Sequence, residues 1–106
     1  MMSVDIWLVA IEKERSLPME SFWLGGNGVR RKMLRGDESP LYGREPLVTN
    51  GKANYYPVTV LQAEKLLWFL GDDLYDGHEA VEAVKFVIWM TTLAGREKHV
   101  LYVEEA

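Results

Sequence analysis

The sequence contains no cysteine and only two histidines, His78 and His99. Without thiols there can be no disulfides, zinc–thiolate sites, iron–sulfur clusters or cysteine nucleophiles. Two histidines without an HExxH pattern offer little for a catalytic zinc site. The four serines stand outside any G-x-S-x-G pattern, which leaves a catalytic triad without support. We therefore expect no metal, no cofactor and no catalytic residue.

Long apolar runs are missing as well. The apolar run at residues 6–11 has a length of six, and Asp5 rather than a basic segment precedes it. A membrane-spanning helix needs about 20 apolar residues, and a signal peptide needs a basic start. We therefore expect a cytoplasmic protein without a membrane segment.

The length and composition indicate a single domain. The chain has 106 residues, of which 48% are hydrophobic and 26% are charged, and these values are typical of one globular domain, 1–106.

The net charge of −4 hides an uneven distribution. Residues 1–25 sum to −2, residues 26–52 to +3, and residues 53–106 to −5. Nucleic-acid binding needs a basic face, so the overall charge disfavours it. The basic middle segment, with Arg30, Arg31, Lys32 and Arg35 in close succession, remains a candidate anion or partner site. The alternative interpretation is a solvated edge strand whose charges oppose aggregation.

Both ends of the chain are predicted to form strands. Residues 4–11 are rich in β-branched and aromatic types, and residues 99–103 form a second apolar run. Neither strand is stable alone, so we expect them to pair.

Two helices are predicted in the second half of the chain. Thr59 and Gln62 have the spacing of a capping box, and Gly71 suits the end of that helix. The second helix is expected to begin at Asp76, with Glu79 completing its cap, and to end at Gly95. Its predicted core face has a period of 3.6 and consists of Ala80, Val81, Val84, Val87, Ile88 and Thr91. This face is widened by Phe86, Trp89, Met90 and Leu93, so much of the helix is expected to be buried. Because Asp76 and Glu79 are already explained as caps, the acidic group around residues 72–79 is not a metal site in our interpretation.

The middle segment, residues 17–57, is expected to be long and irregular. Residues 17–24 suggest a short helical turn, and Asn50–Gly51 is a strong tight-turn signal. These elements together predict an α+β two-layer sandwich, with the terminal strands paired in one sheet and two helices packed on one of its faces.

Residues 41–70 contain YGREPLVTNGKANYYPVTVLQAEKLLWFL, and the chain ends with a helix, Gly95 and the strand VLYV. This pattern resembles the YfbM-like family of uncharacterised bacterial and phage proteins. The resemblance implies the same aromatic–proline entry into a helix and the same helix-to-strand ending. It implies no activity and no catalytic set.

The aromatic residues divide into two predicted groups. Trp7, Phe69, Phe86 and Trp89 fall on core-like positions, whereas Trp68 lies off the main stripe of its helix and is expected to be exposed. Aromatic and arginine residues beside irregular segments are typical of protein interfaces. The candidate site for a partner or an anion therefore consists of Arg30, Arg31, Lys32, Arg35, Arg44, Phe22, Trp23, Tyr42 and Tyr55.

We predict a non-catalytic protein-binding module of the inhibitor, immunity or phage-antagonist type that acts through residues 22–56. An alternative is a protein that binds, or an enzyme that acts on, a small anionic nucleotide-like ligand. Arg30, Arg31 and Arg44 would then hold the anion, and Asp72 or His78 would supply acid–base chemistry. A homodimer formed by an edge strand or by the wide apolar face of the second helix is the third alternative.

Overall fold

The computed structural model describes residues 4–14, 18–49, 51–74 and 77–106. Its sheet has five strands in the order β2-β1-β5-β4-β3, and every neighbouring pair is antiparallel. The terminal strands pair from Ile6 opposite Glu105 to Glu12 opposite His99, which confirms the predicted pairing. The strands are β1 Ile6–Glu12, β2 Pro18–Gly25, β3 Val48–Thr49, β4 Asn54–Val58 and β5 His99–Glu105.

Within the described residues, four α-helices accompany this sheet. They are α1 Asn27–Arg35, α2 Val60–Leu70, α3 Gly77–Met90 and α4 Leu93–Lys98, and a 3₁₀ turn at Gly71–Asp73 follows α2. Residues from α1, α2 and α3 share one buried cluster with one face of the sheet. The α+β two-layer sandwich is therefore confirmed, with α2 and α3 as the two expected helices. Among the described residues, no helix combines the length and apolarity needed to cross a membrane.

Both ends of α2 lie where the sequence signals predict them. The Thr59 side chain accepts a hydrogen bond from the Gln62 amide at 3.0 Å, and the Gln62 side chain accepts one from the Thr59 amide at 3.0 Å. Gly71 ends the helix at a φ of 46°, where its amide donates to the Leu67 carbonyl. Both predicted signals are confirmed, because a capping box and a left-handed glycine satisfy the free backbone groups at the two helix ends.

The predicted second helix is divided in two. α3 ends at Met90, where the hydroxyls of Thr91 and Thr92 donate to the carbonyls of Ile88 and Trp89. Thr92 then caps α4, accepting from the amide of Gly95 at 3.3 Å. Gly95 is thus a buried residue inside α4, where a Cβ would lie 2.7 Å from the Trp89 carbonyl oxygen. The prediction that Gly95 ends one long helix is wrong, and the predicted cap Asp76 lies outside the described residues.

The middle segment is more regular than expected. Residues 18–25 form β2 rather than a helical turn, and the basic run lies in the helix α1 rather than in an edge strand. The helix is favoured because Val29 and Met33, four residues apart, both enter the core. The irregular part shrinks to residues 36–47, which the fully buried Leu41 anchors. Gly51 adopts the positive φ of a turn, and Asn50 lies outside the described residues.

The core face of α3 also differs from the prediction. Ala83, Val87 and Met90 are buried, whereas Val81, Val84 and Ile88 are exposed. The helix is apolar around most of its circumference, so its periodicity alone does not decide which stripe faces the sheet. Val81, Val84 and Ile88 therefore remain on the surface.

Candidate functional site: the open face of the sheet

The strands present apolar side chains to both faces of the sheet. Leu8 on β1 and Val103 on β5 belong to the buried cluster, whereas their neighbours Trp7 and Glu104 point to the other side. Every helix residue of the buried cluster belongs with the Leu8 and Val103 side, and none belongs to that second side. We call it the open sheet face, and its members are Trp7, Val9, Ile11, Ser21, Trp23, Tyr55, Pro57, Val100, Tyr102 and Glu104.

Three cross-strand pairs align the centre of the open sheet face. Trp7 lies opposite Trp23 on one side and opposite Glu104 on the other, and Glu104 in turn lies opposite Tyr55. Directly opposed residues have Cβ atoms about 5 Å apart, so these side chains are neighbours. The row Trp23–Trp7–Glu104–Tyr55 therefore places one carboxylate between aromatic rings.

Hydrogen bonds fix one end of this row. The Trp23 indole nitrogen donates to Asp5 Oδ1 at 3.1 Å. Its backbone amide, on the edge of the sheet, donates to Glu79 Oε1 on α3 at 3.3 Å. Asp5 and Glu79 thus hold the ring and the backbone of Trp23, and Asp5 adds a second negative charge near the row.

The other end of the row is organised by ring contacts. Tyr55 and Tyr102 meet edge to face, with centroids 6.4 Å apart and planes at 88°. Within the described residues, the Glu104 carboxylate makes no hydrogen bond and no ion pair, although its residue is only partly exposed. A partly buried carboxylate beside tyrosine and tryptophan is suited to a cationic group, which can interact with both the charge and the rings.

The neighbouring Glu105 has the opposite environment. It is buried, accepts a hydrogen bond from Asn54 Nδ2 at 2.7 Å, and forms an ion pair with Arg30. Tyr56 lies close to this cluster. Its burial raises the pKa of the Tyr56 hydroxyl, the charge of Glu105 raises it further, and Arg30 opposes the shift. Glu105 is therefore part of the folded structure, whereas Glu104 is available to a partner.

The predicted site residues do not form one surface. Phe22 is buried in the core, with its ring centroid 5.4 Å from that of Phe86, which corrects the expectation that it lies on an irregular exposed segment. Trp23 and Tyr55 lie on the open sheet face, and Tyr42 is exposed on the segment 36–47. Sequence reasoning assigned Trp7 to the core, but it lies on the open sheet face as well.

The predicted cations lie on α1 and on the segment after it. Arg30 pairs with Glu105, and Lys32 pairs with Asp73 while its ammonium lies 5.1 Å from the Phe69 ring centroid. Arg31 and Arg35 are exposed, and Arg44 is partly exposed. Two of the five predicted cations thus serve contacts within the chain, because α1 packs beside the sheet end and the turn after α2.

The candidate acid–base residues Asp72 and His78 are both exposed, in the 3₁₀ turn after α2 and in the first turn of α3. The partner of Asp73 is Lys32, and Glu79 receives the Trp23 amide. The other histidine, His99, lies between the rings of Phe86 and Trp89, with centroids 5.9 and 5.3 Å away. Trp89, predicted to be a core residue, is 41% exposed. The described part of the chain contains no group of three or more metal-ligating side chains.

No family model, curated protein or solved structure matches the chain. The resemblance to the YfbM-like family stays a prediction. The open sheet face is therefore interpreted from its own chemistry.

Sequence reasoning missed Trp7, Tyr102 and Glu104 as site residues. Trp7 is assigned to the core because residues 6–11 are apolar at both odd and even positions, and Glu104 lies just beyond the predicted strand 99–103. The alternation of side chains along a strand is the signal that could have identified Tyr102 and Glu104. It places residues 102 and 104 on one face of the sheet and residues 101, 103 and 105 on the other.

Proposed function

We propose that the chain is a non-catalytic protein-binding module that binds its partner through the open sheet face. The observation that carries the proposal is the Glu104 carboxylate, which has no partner within the described residues and lies in one row with Trp7, Trp23 and Tyr55. Tryptophan and tyrosine are among the residues most enriched in interface hot spots, and the three rings of this row are partly exposed. The inhibitor, immunity and antagonist classes are the candidate biological settings for such a module.

The partner segment is expected to be apolar and to carry a lysine or an arginine. Its cation would meet Glu104 and the neighbouring rings, while its apolar side chains would cover Ile11 and Tyr102. Asp5 beside Trp23 and the net charge of −4 would attract a basic partner during the approach. The surface proposed here is thus aromatic and acidic, whereas the sequence alone suggested an aromatic and basic one.

The nucleotide-like ligand has less support. A hollow of about 340 Å³ lies between α2 and α3, and its lining includes none of Arg30, Arg31 and Arg44. Arg30 is engaged by Glu105.

The test measures the binding of two panels of short labelled peptides by fluorescence anisotropy. One panel places arginine among apolar residues, and the matched panel has glutamate at the same positions. We expect the wild-type chain to bind members of the arginine panel, and Glu104→Gln to weaken that binding about tenfold or more, since it removes one charge-assisted contact.

Glu97→Gln on α4 is the matched control, because it removes the same charge from an exposed residue elsewhere. It should leave peptide binding unchanged. Equal binding of the two panels, or unchanged binding by Glu104→Gln, would contradict the proposed site. Circular dichroism of each variant establishes that the fold is retained.

A further inference from the structure

The helical side of the molecule has an apolar groove of its own. It lies between α2 and α3, has a volume of about 340 Å³, and is lined mainly by Leu67, Trp68, Val84, Val87 and Ile88. Trp68 is 79% exposed and Ile88 is 60% exposed. A tryptophan this exposed costs free energy in water, because its large apolar surface remains hydrated.

The groove continues into two apolar stripes. Leu61 and Trp68 are seven residues apart on α2, as are Val81 and Ile88 on α3, with Val84 between them. Residues spaced by three, four or seven share one helix face, so each pair lies on a single line. The five side chains together expose on the order of 600 Å² of apolar surface.

We propose that a second copy of this chain docks on the α2–α3 groove, with Trp68 of each protomer inserted into the groove of the other. The surface carries both parts that such a contact needs: a projecting indole and, directly beside it, an apolar hollow. A two-fold rotation places each projection over the opposite hollow, which is the defining property of a self-complementary interface.

The size of the surface fits a dimer. A stable interface buries about 800 Å² on each partner. The apolar stripes supply most of that area, and the aliphatic stems of Lys65 and Lys85 beside them supply more.

The lining of the groove carries little charge. Among its described lining residues Glu64 alone is charged, and Glu64 adjoins Lys65 on α2. Two copies therefore meet here with little repulsion, although the whole chain carries −4.

This dimer is independent of the proposed function. α2 and α3 cover one face of the sheet, so a contact on their outer side leaves both open sheet faces accessible. Each dimer would present two copies of the proposed partner site, which increases apparent affinity for a partner with repeated segments.

Sedimentation equilibrium of the wild-type chain and of Trp68→Glu tests the inference over micromolar concentrations. We expect the wild type to reach twice the 12.2 kDa of one chain. Trp68→Glu should weaken the dimer about 100-fold or more, because each interface loses two buried indoles and gains two charges in an apolar hollow. Since Trp68 is exposed, the substitution should leave the circular dichroism spectrum unchanged.

Leu47→Glu is the matched control, because Leu47 is 68% exposed and lies outside both helices. It should dimerise like the wild type. Three results would overturn the inference: a wild-type monomer at about 0.1 mM, a dimer that persists in Trp68→Glu, or a dimer that Leu47→Glu disrupts equally. Peptide binding by the open sheet face can succeed or fail in any of these cases, so the two proposals are tested separately.

Discussion

The two faces of one sheet are built from neighbouring residues with opposite roles. Leu101 and Glu105 on β5 face the helices and are buried, whereas Val100 and Glu104 beside them face the open side. On β4, Tyr56 is buried and Tyr55 lies on the open sheet face. Similar residue types thus pack against the helices on one face of the sheet and remain available to a partner on the other. The difference lies in what covers them rather than in their own chemistry.

The adjacent pair Leu101 and Val100 provides the largest expected contrast. Leu101→Ala removes fully buried methyl groups and should lower the free energy of unfolding by about 3 kcal/mol. Val100→Ala, on the open sheet face, should lower it by about 1 kcal/mol or less, because the residue is partly hydrated already. Urea denaturation of the two variants measures both values. Equal losses would mean that the open face is covered.

The two glutamates at the end of β5 give the next contrast. Glu105→Ala should cost about 2 kcal/mol, because it leaves the amide of Asn54 and the guanidinium of Arg30 without their acceptor. Glu104→Ala should stay within about 0.5 kcal/mol, since it removes no hydrogen bond and no ion pair of the described residues. Urea denaturation at neutral pH compares them. A large loss from Glu104→Ala would show that this carboxylate is structural, which would weaken the proposed partner site.

The smallest expected effect concerns alkaline stability. The pKa of Tyr56 is raised in the folded chain above its ordinary value of 10.0, first because the hydroxyl is buried and then because Glu105 lies close. The folded state therefore holds this proton more tightly than the unfolded state. The corresponding stabilisation is present below pH 10.0 and is lost as the pH rises through the folded pKa.

Tyr56→Phe should remove that part of the alkaline loss, while Tyr55→Phe on the open sheet face should retain it. Urea denaturation between neutral pH and pH 11, together with ultraviolet titration of tyrosinate, follows the effect. Identical alkaline profiles for the wild type and Tyr56→Phe would contradict the assignment.

The parts of the fold that were predicted correctly depend on local signals. The capping box at Thr59 and Gln62 and the glycine at residue 71 act within one helical turn, so they are visible in the sequence. The pairing of β1 with β5 was predicted because both runs are apolar and near the chain ends. Trp68 was predicted to be exposed from its angle on α2, and that prediction is confirmed.

The wrong predictions concern segments whose sequence allows more than one face, or more than one type of secondary structure. Residues 6–11 and α3 each carry apolar side chains on more than one face, so more than one face of each element could have been buried. The basic run became a helix because Val29 and Met33 fit the core four residues apart, a preference that charge content does not reveal. The candidate site was located only in part for the same reason: Trp23 and Tyr55 were named, and Trp7, Tyr102 and Glu104 were not.

The sequence by itself determined the fold class, the two capped ends of α2, the pairing of the terminal strands and the absence of thiol chemistry. These features follow from residue types and from spacings of a few positions. The tertiary structure alone decided which of two apolar faces the helices cover, because that choice depends on packing between distant segments. It thereby placed Glu104 among aromatic rings on the open side, enclosed Glu105 beside Arg30, and left Trp68 projecting next to its groove.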